Sequence, residues 1–113
     1  MAKFITIGYG DEAGYERTNM KLRDAAHAHD AWLIERGAII GIAGIPIQVR
    51  NHHNQGTRTA SGAFMQSDLP LAGFALIEAN TAEEAIELVA QTPCAVAYGV
   101  VEVWPLIDIT PDE

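Results

Sequence analysis

The chain has 113 residues, of which 49% are hydrophobic and 19% charged, which suits one packed domain and is too short for two. A net charge of −8 without a Lys/Arg cluster excludes nucleic acid as a partner and disfavours anionic membrane surfaces. Cys94 is the only cysteine, which excludes an internal disulfide and is typical of a reducing compartment. Because the chain has no signal-like start and no apolar run of about 18 residues, we expect one cytoplasmic domain over residues 1–113 with no membrane partner.

The first third of the chain predicts a strand followed by a helix. Residues 3–9 are rich in β-branched and aromatic side chains, whereas residues 11–17 are polar and predict a loop. From residue 18 to residue 36, apolar side chains recur at steps of three and four, which predicts a helix that ends at Gly37. The expected inner face of this helix comprises Leu22, Ala25, Ala26, His29, Leu33 and Arg36.

The middle of the chain predicts a hairpin. Residues 38–50 are apolar at both alternating positions, and Pro46 within them indicates a bulge or a sheet edge. Residues 51–56 form a cluster of turn residues, so residues 57–61 are expected to return as the partner strand. Residues 62–70 predict a loop.

The last third predicts a strand, a helix and a final strand. Residues 71–79 and 98–106 have strand composition. Between them, Thr81 and Glu84 have the spacing of a capping box, in which Thr81 accepts from the Glu84 amide and the Glu84 carboxylate reaches back. The helix that follows is expected to end at Pro93, and its apolar stripe comprises Ala82, Ala85, Ile86 and Val89.

This order of elements predicts an α+β, ferredoxin-like βαββαβ fold with an extra hairpin and an antiparallel sheet. Right-handed crossovers place both helices on one face of the sheet. The strands nevertheless carry large apolar side chains at both alternating positions, which is typical of strands that are buried on both faces. The chain is therefore expected to pair with a second copy across a two-fold interface between the sheets, as a homodimer.

Several segments also share the pattern of a known family. They are Ser61-Gly62-Ala63-Phe64, Leu71-Ala72-Gly73-Phe74-Ala75-Leu76-Ile77-Glu78, Thr81-Ala82-Glu83-Glu84-Ala85, Pro93 and Val101-Glu102-Val103-Trp104-Pro105-Leu106. With the helix that ends in Leu33 and Gly37 and the Ile/Gly-rich strand after it, they cover nearly the whole chain. They resemble the YCII-related domains, in the branch named for an Asp-Gly-Pro-Phe (DGPF) signature. The resemblance implies a dimeric α/β barrel with a pocket between the sheet and the first helix. Relatives in the wider family and fold include enzymes of ring-cleavage and lactone chemistry, which implies isomerase- or dehalogenase-like activity by analogy.

The sequence departs from the family pattern at several positions. Ser61 and Ala63 stand where the signature has Asp and Pro. Relatives proposed to be enzymes carry a His on the first helix and an Asp just before the proline that follows the second helix. Here the Asp position is Thr92, and the His position falls at Ala26, one residue before His27. The family's His–Asp pair is therefore not intact.

Residues 27–30 nevertheless hold the strongest candidates for chemistry. His27 and His29 are two apart on a predicted helix and point about 200° apart, so they cannot share a metal ion. His29 lies on the apolar stripe, where it is an acid/base, a packed core histidine with a satisfied hydrogen bond, or a histidine that faces the helix edge. His27 and Asp30 have the three-residue spacing of an orienting pair, or of an ordinary surface pair.

Other motifs are weaker. His52 and His53 fall in the turn cluster and predict solvated side chains, and Ser61 and Cys94 have no base at a recognisable spacing. Residues 8–13 match a loose dinucleotide pattern, but two acidic residues occupy the phosphate position, so no cofactor is expected. No metal is expected either, because the histidines are not spaced to share an ion.

Two functions follow from these patterns. The first is a homodimer that binds a small, partly apolar molecule and transfers a proton with His29 or His27. In this hypothesis Asp30 orients the histidine, and the loop at residues 61–64 closes the pocket. The second is a non-catalytic ligand-binding or dimerisation module, which the departures at Ser61, Ala63 and Thr92 favour.

Overall fold

The structure, a computed structural model, describes residues 1–109. Among the helices in this part of the chain, none has the length and apolar character that crossing a bilayer requires. A 3-10 turn at His52–Asn54 joins two of the strands. The strands are β1 Ala2–Tyr9, β2 Ile39–Ile42, β3 Ile47–Arg50, β4 Arg58–Ser61, β5 Leu71–Ala79 and β6 Val100–Pro105, and the helices are α1 Glu12–Arg17, α2 Met20–Glu35, α3 Ala82–Val89 and α4 Pro93–Val96.

Four strands form an antiparallel sheet in the order β2-β5-β1-β6, and β3 pairs with β4 in a separate two-stranded sheet. In the larger sheet Phe4 of β1 lies opposite Ile77 of β5, and Ile7 lies opposite Glu102 of β6. The predicted α+β class, antiparallel sheet and hairpin are confirmed, and the arrangement is compatible with a ferredoxin-like fold.

The core lies on the face of the sheet that the helices cover. Phe4, Ile77 and Ala79 are buried there against Ala85 and Val89 of α3. These residues follow the two periodicities that place side chains on one face, alternate positions on the strands and steps of three or four on the helix. Helix α2 packs on α4 beside them. Only two residues of the expected α2 face, Ala26 and Leu33, are fully buried.

The opposite face of the sheet, here called the open face, leaves large apolar side chains in solvent. One row across the four strands consists of Ile39, Leu76, Ile5 and Trp104. Ile39 is 68% exposed and Trp104 is 53% exposed, and Phe74 in the neighbouring row is 47% exposed. The strands are therefore apolar on both faces, as the sequence indicates, but within a single chain only the face under the helices is buried.

The structure corrects three expected elements. Residues 11–17, expected as a loop, contain helix α1, because the Asp11 side chain caps it by accepting from the Gly14 amide at 2.8 Å. Residues 38–50 form two strands rather than one, interrupted around Pro46. Pro93, expected to end a helix, begins α4, since proline suits the first helical turn.

The cap of α3 and the turn after α2 agree more closely with expectation, whereas the last strand begins later than predicted. The Glu84 amide donates to Thr81 Oγ1 at 3.1 Å, as predicted, but the Glu84 carboxylate accepts from the Asn80 amide at 3.3 Å instead of reaching Thr81. The last strand begins at Val100 rather than at residue 98, because Tyr98 has a positive φ of 63°. Gly37, with a φ of 102°, follows α2 as expected.

Gly99 provides a test of how closely β1, α4 and β6 approach one another. A Cβ at this position would collide with the carbonyl oxygens of Tyr9 and Cys94, whereas one at Gly44 would meet nothing within 4 Å. We expect Gly99→Ala to lower the free energy of unfolding by at least about 2 kcal/mol and Gly44→Ala to leave it nearly unchanged. Urea denaturation at one fixed protein concentration measures both, and equal midpoints would contradict the packing described here.

Candidate functional site

A hydrogen bond between α1 and α2 brings Tyr15 and His27 together. Tyr15 Oη lies 2.8 Å from His27 Nε2, with the two rings edge to face and their centroids 5.9 Å apart. The Arg23 guanidinium lies 4.7 Å from the centre of the Tyr15 ring. The side chain of Asn19 caps α2 by accepting from the Leu22 amide at 2.9 Å, which fixes where α2 begins after α1. The tyrosine ring is thus held by two residues of α2.

Tyr15 lines a small cavity of about 290 Å³ on the helix side of the sheet. Its walls come from the end of β1, from α1, from β5 and from the start of α4. They are mixed in character, with apolar Ala72 and Pro93, polar Tyr15 and Cys94, and acidic Asp11. A few polar groups on mostly apolar walls is the composition that small-molecule sites share.

Cys94 lies half-buried in the wall of this cavity, in the first turn of α4. Burial raises the pKa of its thiol above the ordinary value, and the negative charge of Asp30 raises it further. The thiol therefore stays protonated near neutral pH, which makes it a poor nucleophile.

Asp30 of α2 is half-buried beside the same group of side chains. Burial raises the pKa of its carboxyl group, and the charges of His27 and His29 oppose that rise. Asp30 thus lies within electrostatic reach of both predicted histidines and of Cys94.

His29 makes its contacts on a different side of α2 from His27. Its Nε2 lies 2.6 Å from the carbonyl oxygen of Leu88 in α3, and since a carbonyl only accepts, this nitrogen carries the proton. The ring also stacks on Trp32, with centroids 5.3 Å apart. His29 therefore links α2 to α3 and does not line the cavity at Tyr15, whereas His27 is bonded to the cavity residue Tyr15.

The loop that was expected to close the pocket lies elsewhere. Residues 62–64 line a second, larger cavity of about 1310 Å³ beside the open face, and not the cavity at Tyr15. The hairpin that carries this loop therefore contributes to the cavity beside the open face and not to the cavity at Tyr15. Thr92, at the position of the family's Asp, donates its hydroxyl to the Val89 carbonyl at 2.6 Å.

Glu102 is the main polar feature of the open face. Its Oε1 accepts from Tyr9 Oη at 2.9 Å and from Trp104 Nε1 at 3.2 Å. The hydrogen bond to Glu102 raises the pKa of Tyr9, with smaller contributions from burial and from the carboxylate charge. All three side chains line the larger cavity.

Sequence reasoning missed two of these features for different reasons. The sequence around Tyr15 predicts a loop, and its partner His27 is twelve residues away, so no local spacing indicates the pair. Glu102 was detectable, because strict alternation in β6 places it on the same face as Val100 and Trp104. Within residues 1–109, no three His, Cys, Asp or Glu side chains are grouped so that they could hold a metal ion.

Comparison with known proteins does not assign the chain to a family. Neither a model of a known protein family nor a curated protein matches it. The resemblance to the YCII-related domains therefore remains a prediction that depends on the sequence segments quoted above.

The raised pKa of Asp30 predicts a pH-dependent effect on stability. Folding favours the protonated form of Asp30, so ionisation of its carboxyl group lowers the free energy of unfolding. This loss is absent below the ordinary pKa of 3.8 and grows as pH rises through the raised pKa of the folded protein. We expect Asp30→Asn to be more stable than the parent near neutral pH and equally stable in strong acid. Asp24→Asn, at an exposed position of the same helix, is the matched control. A difference for Asp30→Asn that is the same at both pH values would contradict this account.

The hydrogen bond of His29 predicts a structural role. His29→Ala leaves the Leu88 carbonyl without its donor and removes the stacking on Trp32. We expect a loss of about 1–3 kcal/mol in the free energy of unfolding, measured by urea denaturation. His52→Ala, in the exposed turn, is expected to change nothing. If both variants unfold at the same midpoint, His29 does not join the two helices.

Proposed function

We propose that the chain is a homodimeric, cytoplasmic protein of the YCII-related family, DGPF-type branch, that binds a small, partly apolar molecule and transfers a proton on it. The observation that carries this proposal is the Tyr15–His27 hydrogen bond of 2.8 Å at the wall of the smaller cavity. Tyr15 lines the cavity, and its hydroxyl is bonded to His27, which does not line it. A tyrosine beside the ligand with a base bonded to its hydroxyl is the arrangement that a proton relay needs.

The two side chains divide the work of moving a proton. Neutral His27 takes the hydroxyl proton of Tyr15 through Nε2, while the phenolate oxygen takes a proton from an acidic C–H of the ligand. The reverse transfer returns the proton to another carbon, so the ligand is isomerised without any oxidant or co-reactant. His27 is exposed, so it also exchanges protons with water.

Asp30 acts through the histidines in this proposal. When His27 holds the extra proton, the carboxylate of Asp30 lies close enough to stabilise the imidazolium charge, as the opposing shifts at Asp30 indicate. His29 supports α2 from the other side through Leu88, which keeps the helix in place. Of the two histidines predicted as acid/base, His27 is the one that the geometry favours.

The cavity suggests the class of ligand. A volume of about 290 Å³ suits a molecule the size of a single substituted ring. Apolar walls at Ala72, Pro93 and Ala97 fit the carbon part of such a ring, and the Tyr15 hydroxyl fits a carbonyl or ring oxygen. An unsaturated lactone has both parts and an acidic C–H, which agrees with the lactone chemistry that the family resemblance implies.

The dimer is supported by the size of the exposed surface. The chain exposes 8432 Å², whereas a monomeric protein of its mass exposes about 6,100 Å². Its radius of gyration is 16.5 Å, against about 13 Å for a compact domain of this length. The excess is large enough to supply one partner's share of an extensive interface, and the open face offers apolar side chains for it.

The dimeric α/β barrel follows from packing two open faces together. Each face would cover the exposed Ile39, Phe74 and Trp104 of the other, as sheets do when they pack face to face. The smaller cavity lies on the opposite side of the sheet, so a dimer of this kind leaves it accessible.

A non-catalytic ligand-binding module is the second candidate, and Thr92 is the observation that favours it. Where the family's proposed enzymes have an Asp, this chain has a hydroxyl that is already bonded to the Val89 carbonyl. Under this alternative, Tyr15 and His27 recognise a ligand oxygen without moving a proton.

Hydrogen–deuterium exchange of a small unsaturated γ-lactone in D₂O tests the proposal. We expect the protein to accelerate exchange of the acidic C–H, followed by ¹H NMR, and Tyr15→Phe and His27→Gln each to slow it by about 100-fold or more. Tyr98→Phe is the control, because Tyr98 stacks on Arg17 outside the cavity wall. Exchange no faster with protein than without it would contradict proton transfer, and binding without exchange would favour the module.

A further inference from the structure

Residues 45–66, here called the arm, project from the domain. The arm consists of β3, β4 and the residues that flank them, and its strands pair with each other rather than with the four-stranded sheet. Within it the Gly62 amide donates to the Pro46 carbonyl at 2.9 Å, and Gln48 Nε2 donates to the Gly62 carbonyl at 3.1 Å. The arm is therefore organised by its own hydrogen bonds.

The arm exposes an unusual amount of apolar surface. Ile45 is 83% exposed and Phe64 is 77% exposed, and Ile47, Val49 and Met65 are also exposed. A two-stranded hairpin with apolar side chains in water is marginally stable by itself. Its folding in this position thus calls for a surface that covers it.

Charge distinguishes the arm from the rest of the chain. Between Glu35 and Asp68 the sequence holds no acidic residue, and the arm carries Arg50 and Arg58. The remaining residues hold the other five Lys and Arg against all fifteen Asp and Glu. A basic arm therefore extends from a strongly acidic body.

The two arginines of the arm lie directly opposite each other across the hairpin. Like charges in this position repel and destabilise a strand pair unless a negative partner compensates. Arg50 makes its contacts inside the arm, donating to Gln48 Oε1 at 2.9 Å and lying 5.8 Å from the Phe64 ring. Arg58 is exposed.

We infer that the arm of one chain docks on the acidic body of a second copy of the same chain and completes the dimer interface. The inference rests on the homodimer of the proposed function and adds a second contact region to the packing of the open faces. A second copy is the occupant because it supplies both features that the arm requires, an apolar open face and a large excess of carboxylates. Two-fold symmetry makes the contact twice.

Arg50 and Glu102 mark the place where the arm lies next to the open face. Both side chains line the larger cavity, one from the arm and one from the sheet. In the dimer this cavity opens toward the partner, so the exposed apolar residues of the arm extend the open face as one continuous surface. Docking of the arm therefore accounts for exposed area beyond the sheet itself.

The dissociation constant of the full-length dimer, measured by sedimentation over a dilution series, tests the inference. We expect Arg58→Glu to weaken the dimer by about tenfold at low salt, because each dimer carries two altered arms, and the difference to shrink at about 0.5 M salt. Lys21→Glu makes the same change in charge at an exposed position of α2 and is expected to change the constant by less than about twofold. Circular dichroism checks that both variants remain folded.

The outcomes separate this inference from the proposal on which it rests. A parent dimer that Arg58→Glu weakens and Lys21→Glu does not would support docking of the arm. A parent dimer equally strong in both variants would overturn docking of the arm and leave the dimer through the open faces intact. A parent chain that is monomeric at every concentration would overturn both.

Discussion

The structure depends on one constraint: the helices cover one apolar face of the four-stranded sheet and leave the other apolar face exposed. Phe4, Ile77 and Ala79 are buried under the helices, but the same four strands present Ile39, Phe74 and Trp104 on the other side. Within residues 1–109, the helices pack on the face that holds Phe4 and Ile77, and the open face stays exposed. Exposed apolar surface on this scale is rarely stable in a monomer. The uncovered face is therefore the surface through which we propose that the chain associates, and the proposed ligand site lies on the covered face.

The covered face holds its candidate site where α1 meets α2. The short helix α1 is set by the Asp11 cap and presents Tyr15 to the cavity, and α2 supplies His27 from behind. Neither residue alone would indicate a function. Their hydrogen bond, together with the half-buried Asp30 and Cys94, turns one end of the domain into a group of titratable side chains beside apolar walls.

Much of the fold followed from local patterns in the sequence, while the site did not. Alternation and caps gave β5, the turn at Gly37 and the start of α3, because these signals depend on neighbouring residues. Helix α1 could not be predicted, because a six-residue segment that contains Gly14 shows little helical periodicity. Its formation depends on the Asp11 cap. The different roles of His27 and His29 could not be predicted either. They are set by contacts to α1 and to α3, which are made by residues distant in sequence.

The molecular mass in solution, measured by light scattering across micromolar concentrations, tests the central claim most directly. If the open faces cover each other, the particle weighs about 24 kDa, twice the 12.2 kDa of one chain. A monodisperse particle of 12.2 kDa at every concentration would show that the exposed apolar face is stable in water, and the account of this molecule would be wrong.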